Sequence, residues 1–184
     1  MYRAAVFADA RGDAAPSRRR YVISAIVCVA VLLASAVASN TAAAGTIPPR
    51  KQLLHAINDI RAAYGIGSLH GVSALRWVAL SHSEDMVRRD YFAHTSPTGS
   101  TVSYRIQRSG FVRSYSWRAG ETLAWGTGAH ASASATAEAW LKSPVHRGIM
   151  LSPSYRWVGI GRQCGRFQGY ADACFWTADF VIRW

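Results

Sequence analysis

Acidic side chains are scarce in this 184-residue chain: 10 stand against 21 lysines and arginines, a formal net charge of +11. Such a balance favours anionic surroundings. The basic residues are almost all arginine and lie scattered without aromatic–basic alternation, which argues against a dedicated nucleic-acid site. Cysteine is rarer still, three in all, and no further Cys or His pair stands at a zinc-ribbon spacing. There is no His-Glu-x-x-His helix, no Gly-x-Ser-x-Gly turn, no glycine-rich phosphate loop and no plausible catalytic cysteine. The usual signatures of metalloproteases, serine hydrolases and nucleotide-phosphate sites are therefore missing. Internal repeats are absent too, and alanine-rich sequence is confined to the N-terminal part.

The chain has one long apolar run. Arg18, Arg19 and Arg20 lead into Tyr21 to Ala38, a run of 18 residues, and Ala-rich sequence continues through Ala44. This charged, apolar, small-residue order is that of a secretory signal. Export is expected, with the mature chain beginning near Ser39 or Gly45. A run of this length is at the lower limit for crossing a bilayer core of about 30 Å, so an uncleaved anchor is the alternative and the only expected route to a membrane. Ser17-Arg18-Arg19-Arg20-Tyr21-Val22 also reads as a loose twin-arginine signal. Cys28, in mid-run, reads as a small hydrophobe.

Residues 1–44 are thus assigned to the signal and an Ala-rich linker, and residues 45–184 to one domain. The latter holds 140 residues, with 16 basic and 8 acidic side chains. Its only cysteines, Cys164 and Cys174, are ten positions apart near Gly165 and Gly169. In an oxidising compartment they read as one disulfide closing a hairpin-like loop, worth about 2–3 kcal/mol by loop-closure reasoning.

Thr46-Ile47-Pro48-Pro49 forms a short linker. Leu53, Leu54, Ile57, Ile60 and Tyr64 then recur at helical steps, with Asn58, Asp59, Arg61 and Ala62 off that stripe. Ser73 is placed to cap a second helix with Leu75, Val78, Ala79, His82 and Met86 on one face. A third runs from Val102 to Arg108 and closes at Gly110; residues 111–119 read as a loop or edge strand. Ser132 and Ser134 introduce a helix expected to bury Ala135, Ala139 and Trp140 and to break at Pro144. The period then changes: Trp157 to Gly161 and Cys174 to Val181 are rich in β-branched and aromatic residues. Helices first and strands mostly later indicate an α+β fold with helices covering an antiparallel sheet.

Three strings concentrate titratable side chains among residues that fix the backbone: YFAHTSP with His94, GETLAWG with Glu121, and AWLKSPVHRGIML with His146. Alone, each has a bland reading, a structural histidine or a solvated carboxylate. Together, over roughly residues 50 to 184, they resemble the CAP superfamily, which includes cysteine-rich secretory proteins, antigen 5 and pathogenesis-related proteins, in its bacterial secreted (SCP-like) branch. Trp140-x-x-Ser143-Pro144-x-His146-Arg147 is the most specific match. The resemblance implies an α-β-α sandwich and a cavity into which His94, Glu121 and His146 project. Two departures stand out. Thr122 replaces an asparagine, and Ser143 replaces a second glutamate of animal and plant members, leaving the two-histidine, two-glutamate set incomplete.

Two imidazoles and a carboxylate are also the ligand set of an open divalent-metal site, with zinc the first expectation, and the same trio can act as general acid and base. Ser96 and Ser143 are near the histidines only in sequence. Trp117 and Trp125 flank Glu121 and are placed to wall a cleft; His55, His70, His82 and His130 are assigned to core hydrogen bonding or the surface. The expectation is a monomeric exported protein of the cell envelope, a binding module for a divalent cation or a small apolar or anionic ligand. A metal-assisted hydrolase or peptidase and a wall-associated structural protein that holds an envelope polymer are the alternatives.

Overall fold

The computed structural model describes residues 46–184, so the signal segment, Cys28 and both expected cleavage positions lie outside the described residues. Helix α1 spans Pro49–Ala63, with proline in its first turn, where a missing N–H removes no intrahelical bond. Strand β1 (His70–Gly71) and helix α2 (Ser73–Arg88) follow. Ser73 is the first helical residue rather than the cap, which falls on Val72 without a side-chain bond. The expected stripe of α2 is nonetheless right, since Leu75, Val78, Ala79, His82 and Met86 are all buried. Helix α3 covers Val102–Arg108, capped by the Thr101 hydroxyl accepting from Tyr104 N–H.

Strand β2 (Trp117–Gly126) carries GETLAWG, and its first residues realise the edge-strand alternative expected for the end of 111–119. Helix α4 (Ala133–Lys142) is capped by Ser132. It buries Ala133, Thr136, Ala137 and Trp140, so the predicted face was rotated: Ala135 is half-buried and Ala139 exposed. Pro144 ends α4 and at once begins a further helix, α5 (Pro144–Met150), which the sequence reading did not anticipate. Strands β3 (Trp157–Phe167) and β4 (Tyr170–Arg183) form the final hairpin.

The sheet order is β1-β3-β4-β2. Pairings β3–β4 and β4–β2 are antiparallel; the two-residue β1 adds to β3 in parallel. Cys164 and Cys174 are direct partners across β3 and β4 and are joined by a disulfide. Side chains on successive β4 residues point to opposite faces. Trp176, Ala178 and Phe180 pack with Leu53, Ile57, Ala137, Trp140 and Met150 of α1, α4 and α5. Val181 packs with Leu75, Val78 and Ile106 of α2 and α3, and Phe175 with Met86. Both faces are therefore covered, as in an α-β-α sandwich, and β4 is buried from Ala173 to Val181.

Two contacts set the spacing of the layers. A Cβ on Gly159 would lie 2.1 Å from the Leu75 carbonyl carbon, and one on Gly161 would lie 2.2 Å from Leu80 N, so α2 rests directly on the backbone of β3. On the other face Arg61, expected off the apolar stripe, is wholly buried. Its guanidinium donates to the carbonyls of Met150 (2.7 Å), Ser152 (3.0 Å) and Tyr155 (3.3 Å), and its Nε–H to Gly67 O at 2.8 Å. A cation at the C-terminus of α5 meets unpaired helix carbonyls. Arg61 thus ties α1 to the segment that carries His146. Arg61→Met keeps the volume and orphans these carbonyls, so it should lower unfolding free energy by about 3–5 kcal/mol, measured by urea denaturation; a loss under about 1 kcal/mol, the worth of one ordinary hydrogen bond, would contradict this role.

Candidate functional site

The site straddles β2, the edge strand opposite β1. Glu121 belongs to its odd-numbered face with Leu123, turned toward α2 and α3, and its side chain is only 1% exposed. A buried carboxylate stays ionised only if donors replace its water. Two do so. His94 Nδ1–H donates to Oε1 at 2.7 Å, and the Arg105 guanidinium donates to Oε2 at 2.6 Å. Burial alone would raise the Glu121 pKa, but the His94 hydrogen bond and the Arg105 charge outweigh it and hold the carboxyl below its ordinary value.

Each partner is itself held. Arg105, on α3, also donates to the carbonyls of His94 (3.1 Å) and Ser100 (2.8 Å). His82 Nε2–H, from α2, donates to Ala93 O at 3.0 Å, fixing the residue before His94. Burial lowers the pKa of His82 and keeps it neutral beside this cluster. With its Nδ1 turned inward, His94 leaves 55% of its side chain exposed, so the Nε2 edge is the group offered outward. His146, on α5, approaches from the opposite layer. Its pKa is lowered by burial first and by the His94 charge second. Gly120 lets α5 and the loop after it pack closely on β2, because a Cβ there would meet Tyr155 Oη at 2.8 Å and Ile149 Cγ2 at 2.9 Å.

Of the predicted trio, His94 and Glu121 are hydrogen-bonded to each other and are not free ligands. Both oxygens of Glu121 are taken by His94 and Arg105, and among the described residues no group of three or more His, Cys, Asp or Glu side chains is spaced to hold a metal ion. Ser96 is hydrogen-bonded to Thr98 and the Ser100 amide rather than to His94. Trp125 packs against Phe167, Tyr170 and Phe175, and Trp117 packs beside the Leu75 cluster; they support the sheet on either side of Glu121.

Two members of the site escaped the sequence reading. Arg105 carried no signal separating it from the other arginines. Asp179 did: it is the only charged residue between Ala173 and Ile182. It lies directly opposite Glu121 on β4, fully buried, and no N–H or O–H of another described residue donates to either carboxyl oxygen. Burial, followed by the negative charge of Glu121, raises its pKa well above the ordinary value. Asp179 is thus the neutral carboxylic acid beside an ionised one.

The sequence model of the cysteine-rich secretory protein family, CAP, matches residues 54–180. The chain belongs to this family. The CAP domain is 31% identical over 134 residues to the uncharacterized membrane protein YlbC of Bacillus subtilis (strain 168), covering 73% of this chain and 34% of that protein. Among solved structures it resembles an extracellular protein containing an SCP domain from Bacillus anthracis str. Ames, with 29% identity, a TM-score of 0.59, and coverage of 72% of this chain and 40% of that one. Its fold also matches an outer surface protein from Borrelia burgdorferi, with 21% identity, a TM-score of 0.61, and coverage of 75% of this chain and 97% of that one. The chain spans between a third and a half of the curated relatives it matches. No helix among the described residues of the CAP domain is long and apolar enough to cross a membrane.

Asp179 gives the site a pH signature. Its folded-state pKa lies above its ordinary 3.8, so between those values the folded state holds one more proton than the unfolded chain, and this contribution to stability, complete below the unfolded value, is lost as pH rises through the folded one. Asp179→Asn removes the titration and retains a neutral donor facing Glu121. It should therefore gain stability relative to wild type, by about 1–3 kcal/mol at about pH 8, with a smaller gain or none at about pH 4, near the unfolded value. Melting curves at both pH values check this; an equal difference at both would contradict it.

Proposed function

We propose that this CAP domain is an exported binding module of the cell envelope, and that it recognises a small amphipathic ligand through the outward edge of His94. The observation that carries this reading is the set of bonds around Glu121: a buried carboxylate, balanced by Arg105, orients one imidazole and leaves its Nε2 facing solvent. An oriented imidazole offers a ligand one directional hydrogen bond at little entropic cost. Apolar side chains adjoin all three polar groups in sequence. Phe92, Tyr104 and Val145 are exposed and neighbour His94, Arg105 and His146. Exposed apolar residues beside convergent polar groups suit a ligand with a polar head and an apolar body. Export rests on the N-terminal signal pattern and on relatives described as extracellular or outer-surface proteins.

The hydrolase alternative has less support, because neither His94 nor His146 hydrogen-bonds a serine, threonine or cysteine side chain among the described residues. A general base needs a proton to take within reach. A divalent cation would rest on the two imidazoles alone, with Glu121 orienting His94 from behind.

Calorimetric titration with 1-decanol as an amphipathic probe, with zinc in a parallel titration, tests the proposal. Saturable decanol binding that His94→Ala weakens about tenfold, the worth of one hydrogen bond from the probe hydroxyl to Nε2, with the folded near-ultraviolet spectrum retained, is expected. Zinc binding lost in both His94→Ala and His146→Ala, without decanol binding, would replace the amphipathic ligand with a cation. Indifference of both titrations to His94→Ala would sink the cleft as a binding site.

A further inference from the structure

A second polar site stands apart from the His94 cleft, at the opposite edge of the sheet. Strand β1 pairs with β3 only at Trp157 and Val158, so β3 beyond that point runs along a free edge. There a hollow of about 180 Å³ opens between the N-terminus of α1, the middle of α2 and β3. Pro49, Leu80 and Ile160 give it an apolar floor, and Arg50, Arg76 and Arg162 line it from three different elements. We propose that this hollow is a binding site for a phosphate-type oxyanion.

Three observations support the assignment. First, none of the three arginines forms a salt bridge among the described residues, and no acidic side chain lines the hollow. Three cations around one concavity repel one another unless an anion joins them. Second, two of the guanidinium groups are held in place by aromatic faces. Arg76 lies 4.2 Å from the Trp77 ring centroid, and Arg162 lies 5.3 Å from that of Trp176. Stacking spends the planar face and, for Arg76, leaves the N–H edge for an acceptor. Third, Arg162 Nη2 donates to Cys174 Sγ at 3.1 Å, but its Nε has no hydrogen-bond partner among the described residues, so the chain leaves one donor of this arginine without an acceptor. Helix α1 adds to the field, since its first turn has no acidic residue and no side-chain cap.

The number of cations selects the ligand class. One carboxylate presents two oxygens in a plane and pairs well with a single guanidinium; a phosphate presents several acceptor oxygens in three dimensions and up to two charges, enough for three. The same group occurs free in solution and on the headgroup of an anionic lipid, and the apolar floor accepts either a bare ion or a short ester stem.

The test follows the backbone amides of Gly161 and Arg162 and the arginine Nε–H signals by nuclear magnetic resonance while inorganic phosphate is added at low salt. Sedimentation with phosphatidylglycerol vesicles, against phosphatidylcholine vesicles, runs in parallel. Saturable shifts in wild type, weakened about tenfold in Arg76→Gln and lost in the Arg50→Gln/Arg76→Gln double variant, are expected, with His94→Ala titrating as wild type. Arg162 is left intact because it packs on Trp176, and unchanged melting temperatures confirm that the two arginine variants are folded. Vesicle binding that requires Arg50 and Arg76 would make the source a lipid headgroup; phosphate binding without it would make the source a free phosphate. No saturation in wild type, or equal shifts in the double variant, would overturn the site. Because His94→Ala is silent here, failure of the cleft reading and failure of this one are separable.

Discussion

A carboxylate has been taken out of water at the edge of a β-sheet, and the arrangement around it follows from keeping it charged. Glu121 is almost wholly buried. Removing one partner of a buried ion pair costs about 3–5 kcal/mol, so Arg105 and His94 have to be delivered accurately, from a short helix and from the loop behind α2. That demand accounts for several features with no other evident purpose. Thr101 caps a helix of only seven residues, Arg105 binds the backbone of the loop it approaches, and His82 is buried to hold Ala93. Across the strand pair, burial first and the Glu121 charge second push the Asp179 pKa up, favouring its neutral form.

The other layer solves a different problem, bringing His146 to the same edge without a long-range pairing of its own. Arg61 does this through three backbone carbonyls, acting on the end of α5 and the loop after it. Burying a guanidinium is tolerable only when its donors are satisfied, and carbonyls left over at a helix end are available acceptors. One imidazole is thus positioned by an acid on β2, and the helix that carries the other is tied down by a base on α1.

How much of this was readable in the sequence depended on range. Local signals served well: the α3 limits and the Ser132 and glycine punctuation reflect capping and turn chemistry within a few residues. The three strings carrying His94, Glu121 and His146 located the site because their glycines, prolines and aromatics are local as well. What the sequence hid was decided by distant partners. Arg61 looked solvent-facing because a helical stripe counts apolar residues, and its carbonyl partners on Met150 and Ser152 are 89 and 91 positions away. Glu121 looked like a free ligand because nothing marks Arg105 as its counterion. The α4 face was misjudged since alanine-rich helices have little contrast between sides. Asp179, one acid in an apolar strand, was the signal that went unused.

The central claim is that ionised Glu121 fixes the His94 ring, with the proton on Nδ1 and Nε2 turned outward. An ionised carboxylate only accepts hydrogen bonds, so the tautomer is a direct consequence of its charge. Long-range ¹H–¹⁵N correlation spectroscopy of the histidine rings above about pH 8, well past the ordinary imidazole pKa, reads that tautomer. The account predicts a neutral His94 protonated on Nδ1 in wild type and shifted toward the Nε2-protonated form in Glu121→Gln; an Nε2-protonated ring in wild type, or identical spectra in both proteins, would contradict it.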